Sequence, residues 1–410
     1  MPEALDVSKE SGNGPAAAVE SPPLRSLHVT HTSSPYGANR SLLALVSQLA
    51  AAGLADPVVA GPPGHFASLC RSNGIEFVEI VVPREWHARA FRGVLTRAKA
   101  AWSLRSQRRR KTAPLGHLLD ALRPDVVHLN SALCTWAVHD ISTRGLPLVW
   151  HIREFGPPDY GIFPPRGWTE LGEQLRGAAT AIFVSNQLAQ WYESRCGPLE
   201  NGVTIYNGVF SANRARGAVA TSLPQGPILQ LLFAGLIRPE KGVGDIIFGA
   251  WHLRRKNISF HVNMCGSGWA RPFYQALTLL LGLRRQVTWH GFVSDIPQRI
   301  ADADFVLVPS HAEAMGRVTA EAMWGGRPIV ARSAGATVEV VGGLSCGTFY
   351  KGGGRELAAS IQRALASSDH SLSGAIEAQR RACREFNTAA YAAHVAERLA
   401  TAFQRTRSGP

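Results

Sequence analysis

The chain has 410 residues, 45% hydrophobic and 18% charged. That is the make-up of a globular protein with room for two domains, and it excludes a disordered or fibrous chain. The net charge is +13 and unevenly spread, and no apolar run reaches the roughly 18 uncharged residues of a membrane span, since Ser41 to Ala55 is broken by Ser47 and Gln48.

In chain order, the stretch up to about Pro23 is rich in Ala, Pro, Gly and Ser and lacks a basic-then-apolar start. A loose tail over residues 1–24 is expected, not an export signal. Six cysteines (Cys70, Cys134, Cys196, Cys265, Cys346, Cys383) show no short spacings, so neither a zinc site nor a disulfide framework is expected. A reducing cytosol is the simplest setting.

Strands are predicted at Leu27 to Thr32, Pro57 to Ala60, Glu76 to Val82, Asp125 to Leu129, Leu148 to Ile152 and Ala181 to Val184. Helix-length spacers between them predict a parallel sheet covered on both faces. The first strand runs into a turn at Ser33 to Gly37 and then a helix. Between Arg84 and Lys111 ten Lys/Arg stand against one acid, Glu85, and Phe91, Leu95, Ala98 and Trp102 recur at helical spacing. A basic amphipathic helix suits an anionic membrane surface, and equally a solvated helix packed on its own domain. No nucleic-acid partner is expected, because no stacking platform or recognition motif accompanies the charge. His128 points from a strand interior and is expected to be structural, whereas His151, Arg153 and Glu154 follow a strand. Asn207-Gly208 is a turn signal. A first domain is expected over residues 25–212, followed by a linker over 213–227.

The second half, residues 228–375 with carboxy-terminal helices over 376–410, opens on the apolar run Leu229 to Gly235. The loop after it carries Arg238 and Lys241, a fork of donors and a mobile point charge suited to a diphosphate; a surface loop of charges is the competing reading for Arg238. Gly266-Ser267-Gly268 is a weak signal alone. Asp302 and Asp304 have the look of a metal-binding pair, but Asp304 directly precedes a strand, and no metal site is expected there. The run Phe305 to Pro309 reads as a buried strand, so the polar loop Ser310 to Gly316 emerges at a carboxyl end, where open α/β sheets bind ligands. Gly316 opens a helix that Gly325-Gly326 ends, leaving free amides at Gly316, Arg317 and Val318 as an anion site. Glu313 precedes that helix and Glu321 lies inside it; two glutamates so spaced also suit an ordinary surface helix.

The pattern Glu313-x7-Glu321 enclosing Gly316, then Ala322-Met323, Gly325-Gly326 and Pro328-Ile329-Val330-Ala331, resembles the signature of retaining family 4 glycosyltransferases (glycosyl transferases group 1). The resemblance covers about Leu27 to Phe403. It implies an α/β GT-B fold, with two doubly wound Rossmann-like domains facing each other across a cleft and the last helix crossing back to the first domain. It implies that Glu313 contacts the donor sugar and Glu321 the nucleotide ribose, that Gly37 belongs to a loop closing on the donor, and that His151 faces the sugar across the cleft. Met315 stands where the family has Phe, beside Gly316, Arg317 and Val318 of the donor loop. Lys241 matches the cation that neutralises the diphosphate. Leu236 occupies the place of the family arginine, so Arg238 is the candidate replacement.

The implied activity is transfer of a hexose from a UDP- or GDP-linked sugar to a glycan or lipid-linked acceptor, with retention, in cell-surface polysaccharide or glycolipid biosynthesis. No metal or further cofactor is implied, and the expected location is cytoplasmic, peripheral on the inner face of the membrane if residues 84–111 dock there. Two rivals remain: a nucleotide-sugar epimerase on the same architecture, and a non-catalytic nucleotide-sugar-binding relic.

Overall fold

The structure, a computed structural model, describes residues 23–35, 37–83, 86–88, 114–211 and 222–408. The basic segment 84–111 lies outside the described residues apart from 86–88, as do most of the tail and most of the linker.

The first half comprises β1 (Arg25–Val29), α1 (Ala38–Ala51), β2 (Asp56–Gly61), α2 (His65–Ser72), β3 (Glu76–Glu79), β4 (His87–Ala88), α3 (Leu115–Leu122), β5 (Val126–Leu129), α4 (Val138–Ser142), β6 (Leu148–Ile152), α5 (Pro157–Tyr160), β7 (Ile162–Phe163), α6 (Gly167–Arg176), β8 (Thr180–Phe183), α7 (Asn186–Cys196) and β9 (Gly202–Thr204). Seven strands form one sheet in the order β3-β2-β1-β5-β6-β8-β9, every pairing parallel. Parallel strands are covered on both faces, which is why Val126, Val127 and Leu129 are all fully buried. The polar exception is an internal histidine chain. His28 and His128 are register partners on β1 and β5, and their Nδ1 atoms lie 3.0 Å apart, so His128 is structural.

The second half comprises β10 (Leu229–Ala234), α8 (Val243–Arg255), β11 (Phe260–Cys265), α9 (Arg271–Leu280), β12 (Val287–Gly291), α10 (Ile296–Ala301), β13 (Phe305–Val308), α11 (Arg317–Trp324), β14 (Ile329–Arg332), α12 (Thr337–Val341), β15 (Gly347–Tyr350), α13 (Gly354–Ala366), α14 (Ser368–Glu385) and α15 (Thr388–Ser408). Its six-stranded sheet, β12-β11-β10-β13-β14-β15, is also parallel. Asp304 is structural: its carboxylate accepts the N–H groups of Gln225 and Gln230, each at 2.7 Å, tying the end of the linker to β10.

The two halves are docked. α14 stays on the second sheet's side against α11, and the chain crosses back at Phe386 to Thr388, where Val209 N–H donates to Phe386 O and Thr388 N–H to Phe210 O. α15 then packs on α1, with Tyr391, Val395 and Leu399 buried among Leu42, Leu45 and Leu49. Phe210 stacks on Trp324 at 5.1 Å, and one hydrophobic cluster runs through the seam from Val209 to Met315 and Phe386. Among the described residues no helix is long and apolar enough to cross a membrane.

Candidate active site

The order of the second sheet fixes where its site lies. The chain leaves β10 toward β11 and β12 on one side, then returns to β13 and β14 on the other, so the loops after β10 and β13 flank the switch point where such sheets bind ligands. The first of these loops holds one short turn, Pro239–Lys241, ended by Gly242 at φ 69°. Gly242 is needed for close approach as well as for that angle: a Cβ there would sit 2.0 Å from the carbonyl oxygen of Pro309. The second loop answers with the His311 N–H, which donates to Glu240 O at 2.9 Å.

This contact brings Lys241 Nζ to 2.6 Å from Glu313 Oε1, with the side chains 18% and 20% exposed. Burial pulls the Lys241 pKa down, but Glu313, helped by Tyr160 and Asp159, outweighs it and holds the ammonium above its ordinary value. The backbone of Glu313 is pinned from behind, since Ala336 N–H donates to its carbonyl at 2.7 Å and a Cβ on Gly335 would lie 2.3 Å from its nitrogen.

Three residues on, Gly316 takes φ 80° and starts α11, whose first turn contains no acidic side chain. The first amides of such a helix have no partner four residues back, so they face the loop as donors. Thr319 Oγ1 in the same turn is buried without a partner among the described residues, as is Nε of Arg238 in the facing loop. Among the described residues the Arg238 side chain has one distant ionic contact, with Glu240 at 3.9 Å, and Leu236 beside it is half-buried. The arrangement gathers donors beside one carboxylate, a set of groups able to hold a diphosphate and orient a hydroxylated ring.

The opposite wall comes from the first domain, through the loop after β6. Asp159 on α5 is 8% exposed; its Oδ2 accepts Phe155 N–H at 2.9 Å, while Oδ1 has no partner among the described residues. Burial pushes its pKa up to about 6, against the opposing pull first of the Phe155 N–H and then of Lys241 in the other domain. Sequence reasoning missed Asp159 and Tyr160. The signal that could have found them is Gly156 followed by two prolines, four residues after the end of β6; the glycine takes φ 85° at the start of α5. At the first sheet's own switch point, between β1 and β5, Gly37 (φ 53°) begins α1, and buried Asn39 donates to Thr32 O and Ser34 O, fixing the loop.

Comparison with known proteins agrees with this geometry. Residues 35–211 match the model of Glycosyltransferase Family 4, and residues 223–382 match that of Glycosyl transferases group 1, so between them they account for most of the chain. The chain belongs to these GT-B glycosyltransferase families. It is 38% identical over 122 residues to an alpha-D-kanosaminyltransferase of Streptomyces kanamyceticus, covering 29% of this chain and 31% of that protein. It is 27% identical over 241 residues to a 2-deoxystreptamine glucosyltransferase of the same organism, covering 56% and 60% respectively. The chain thus spans between 31% and 60% of the length of these curated relatives. The Anabaena protein HepE, solved in complex with UDP and glucose, superposes with a TM-score of 0.71 at 21% identity, covering 92% of this chain and 99% of that one, which shows the shared fold.

Within this GT-B chain, three residues expected to meet the donor are placed otherwise. His151 is fully buried, not open to the cleft: its Nδ1 lies 3.3 Å from both His128 Nε2 and Arg153 Nη2, and its ring packs on Tyr391 of α15. Burial, then the Arg153 and His128 charges, lower its pKa and keep it neutral. The returning helix covers what would otherwise be a strand end. Met315 turns into the seam, where its Sδ receives the Asn207 N–H at 3.2 Å. The Arg317 side chain crosses to the first domain, donating to Ser41 Oγ at 2.8 Å and Gly208 O at 3.3 Å; burial lowers its pKa to about 10. Only its backbone amide remains at the helix end. Val318 is half-buried and packs on the core. Glu321 is 8% exposed and lies 3.4 Å from Arg40 of α1 and 3.9 Å from Arg317, so its carboxylate already faces two cations.

Arg153, close beside His151, is the hub of the first domain's edge. It donates to Asn130 Oδ1 at 2.6 Å, to Asn207 Oδ1, and to Tyr391 hydroxyl at 2.8 Å. It thereby ties the loop after β5, the hinge and α15 together. A separate cavity of about 110 Å³, lined among others by Trp136, Pro164, Arg166 and Glu170, shares no residue with the Lys241–Glu313 pair.

Proposed function

We propose that the protein transfers a sugar from a nucleotide-sugar donor, UDP- or GDP-linked, to a glycan or lipid-linked acceptor with retention of anomeric configuration. The observation that carries this is the Lys241–Glu313 pair, at 2.6 Å, set at the switch point beside the amide end of α11. Without donor the two charges neutralise each other. With donor, Lys241 turns to the diphosphate together with Arg238 and the amides of Gly316, Arg317 and Val318, while Glu313 accepts from sugar hydroxyls and supports positive character at the anomeric carbon. Glu321 holds the ribose, exchanging its contact with Arg40 for two hydroxyls. Gly37 lets the first loop approach the donor. His151 acts here as a positioning residue that supports Arg153.

The bond from the anomeric carbon to the diphosphate oxygen breaks as the acceptor oxygen bonds on the same face, and the acceptor proton passes to the leaving phosphate. Donors aimed at the developing charge on that phosphate contribute most to the rate. The docked domains exclude water and so limit hydrolysis. That HepE was solved with UDP and glucose makes a UDP-linked hexose the first donor to test. Synthesis of a cell-surface polysaccharide or glycolipid, on the cytoplasmic side of a membrane, is the setting that accords with such acceptors.

The test is release of nucleoside diphosphate from UDP-, GDP- and ADP-sugars in the presence of glycan and lipid-linked acceptors, with the product's anomeric configuration read by NMR. Transfer with retention is expected. An isomerised donor in the absence of acceptor would favour an epimerase, and tight nucleotide binding with no transfer would favour a binding relic.

A further inference from the structure

α9 has two apolar sides. Tyr274, Leu277 and Thr278 turn inward toward α8, whereas Trp269 just before the helix and Phe273, Leu279 and Leu280 on it are 71%, 66%, 60% and 83% exposed. At about 100° per residue these four, with Ala276 between them, fall within one arc of about 120°. A helix apolar on both sides is expected to be covered on both, yet no described residue closes this one. Along the chain the charge on either side of it is of one sign, the nearby acids Glu240 and Asp245 facing Tyr274 on its inner side. No Asp or Glu occurs between Asp245 and Asp295, while Arg254, Arg255, Lys256, Arg284 and Arg285 do. Arg254 donates to Leu281 O and Gly282 O, which holds the end of α8 against the end of α9, and Arg284 and Arg285 stand exposed just beyond.

We infer that α9 and its basic end dock on an anionic lipid surface. A convex arc with a tryptophan at one end and arginines at the other presents no groove for a peptide. Instead it matches an interfacial helix, whose apolar face enters the acyl boundary while its cations meet anionic headgroups. A second copy of this chain would set like charges together. The surface belongs to the second domain and is distinct from the basic segment 84–111 of the first. The inference does not depend on the sugar-transfer reading.

The full chain is sedimented with vesicles of phosphatidylcholine alone and with phosphatidylserine added. Binding to the anionic vesicles only is expected, with partitioning reduced at least about tenfold in Phe273→Ser/Leu280→Ser and in Arg284→Glu/Arg285→Glu. All four positions are exposed, and an unchanged melting temperature verifies that the variants fold. Wild-type partitioning by both folded variants overturns the proposal and moves any lipid binding elsewhere, including to 84–111. Wild-type protein that stays in the supernatant overturns it as well. So does a dimer in light scattering that Phe273→Ser/Leu280→Ser splits, since the arc would then be a contact between copies.

Discussion

Glu339 of α12 caps a helix that belongs to the other domain: its Oε1 accepts the N–H of Asn186 at 2.7 Å and its Oε2 that of Gln187 at 2.8 Å. Tyr206 hydroxyl adds a third donor at 2.6 Å. A carboxylate at the first turn of α7 is favoured by both the unpaired amides and the helix dipole. With Ser185 Oγ donating to Ala314 O at 2.5 Å, it locks the domains at the hinge side of the cleft. Glu339→Ala is expected to cost about 1–2 kcal/mol and to open the seam. Urea unfolding and small-angle scattering check this; an unchanged radius of gyration and unchanged stability would mean that the clamp is idle.

Lys241 and Glu313 are predicted to separate kinetically. Lys241→Ala removes a cation from the departing diphosphate and should lower kcat by about a hundredfold or more, while leaving a folded protein because the pair is partly exposed. Glu313→Gln keeps the shape and hydrogen-bonding reach but loses the negative charge near the anomeric carbon. Its kcat should fall with little change in KM for the donor. Steady-state rates of donor consumption decide the matter, and wild-type kcat in both variants would remove the pair from the chemistry.

Glu321 already lies within 3.4 Å of Arg40, so nucleotide binding at the ribose competes with an ion pair across the seam. Glu321→Ala is expected to weaken UDP or GDP binding by about tenfold or more. Arg40→Ala frees the carboxylate and should tighten nucleotide binding while loosening the docked domains. Calorimetric titration of the two single variants and the double variant measures the coupling. Equal nucleotide affinity in wild type and Glu321→Ala would place the ribose elsewhere.

The strands were legible because buried parallel strands read as continuous apolar runs; β5 and β6 follow their predicted spans within a residue. The loops carrying Lys241 and Glu313 were legible because each follows such a run. The start of α14, before residue 376, was not, since apart from Leu372 its buried face is built from Ser371, Gly374, Ala375, Ala378 and Ala382, side chains too small to mark a helical stripe. His151 was misplaced for a different reason. Its burial comes from Tyr391, a residue of the returning helix, and no local pattern reports a cover supplied from so far along the chain. Met315 and Arg317 likewise turn away because the opposing domain offers Asn207, Ser41 and Gly208, partners that only the docked structure brings near.

Glu154 provides a pH test of the buried first-domain edge. It is 5% exposed, takes a hydrogen bond from Ser131, and burial pushes its pKa up from 4.5 to about 7. Between those values the folded state binds more protons than the unfolded state, so this group's contribution to stability is fullest at and below about pH 4.5 and is lost as pH rises through about 7. A shift of that size corresponds to about 3 kcal/mol as an order of magnitude. Glu154→Gln does not titrate, so relative to wild type it should gain stability between about pH 5 and about pH 8. His28, whose pKa is lowered to about 3 by burial and by Arg153, acts with the opposite sign, but it is present in both proteins and cancels in the comparison. Urea unfolding of both proteins at the two pH values gives the difference directly. A wild-type-to-variant gap that stays constant with pH would show that Glu154 is ionised in the folded protein throughout that range.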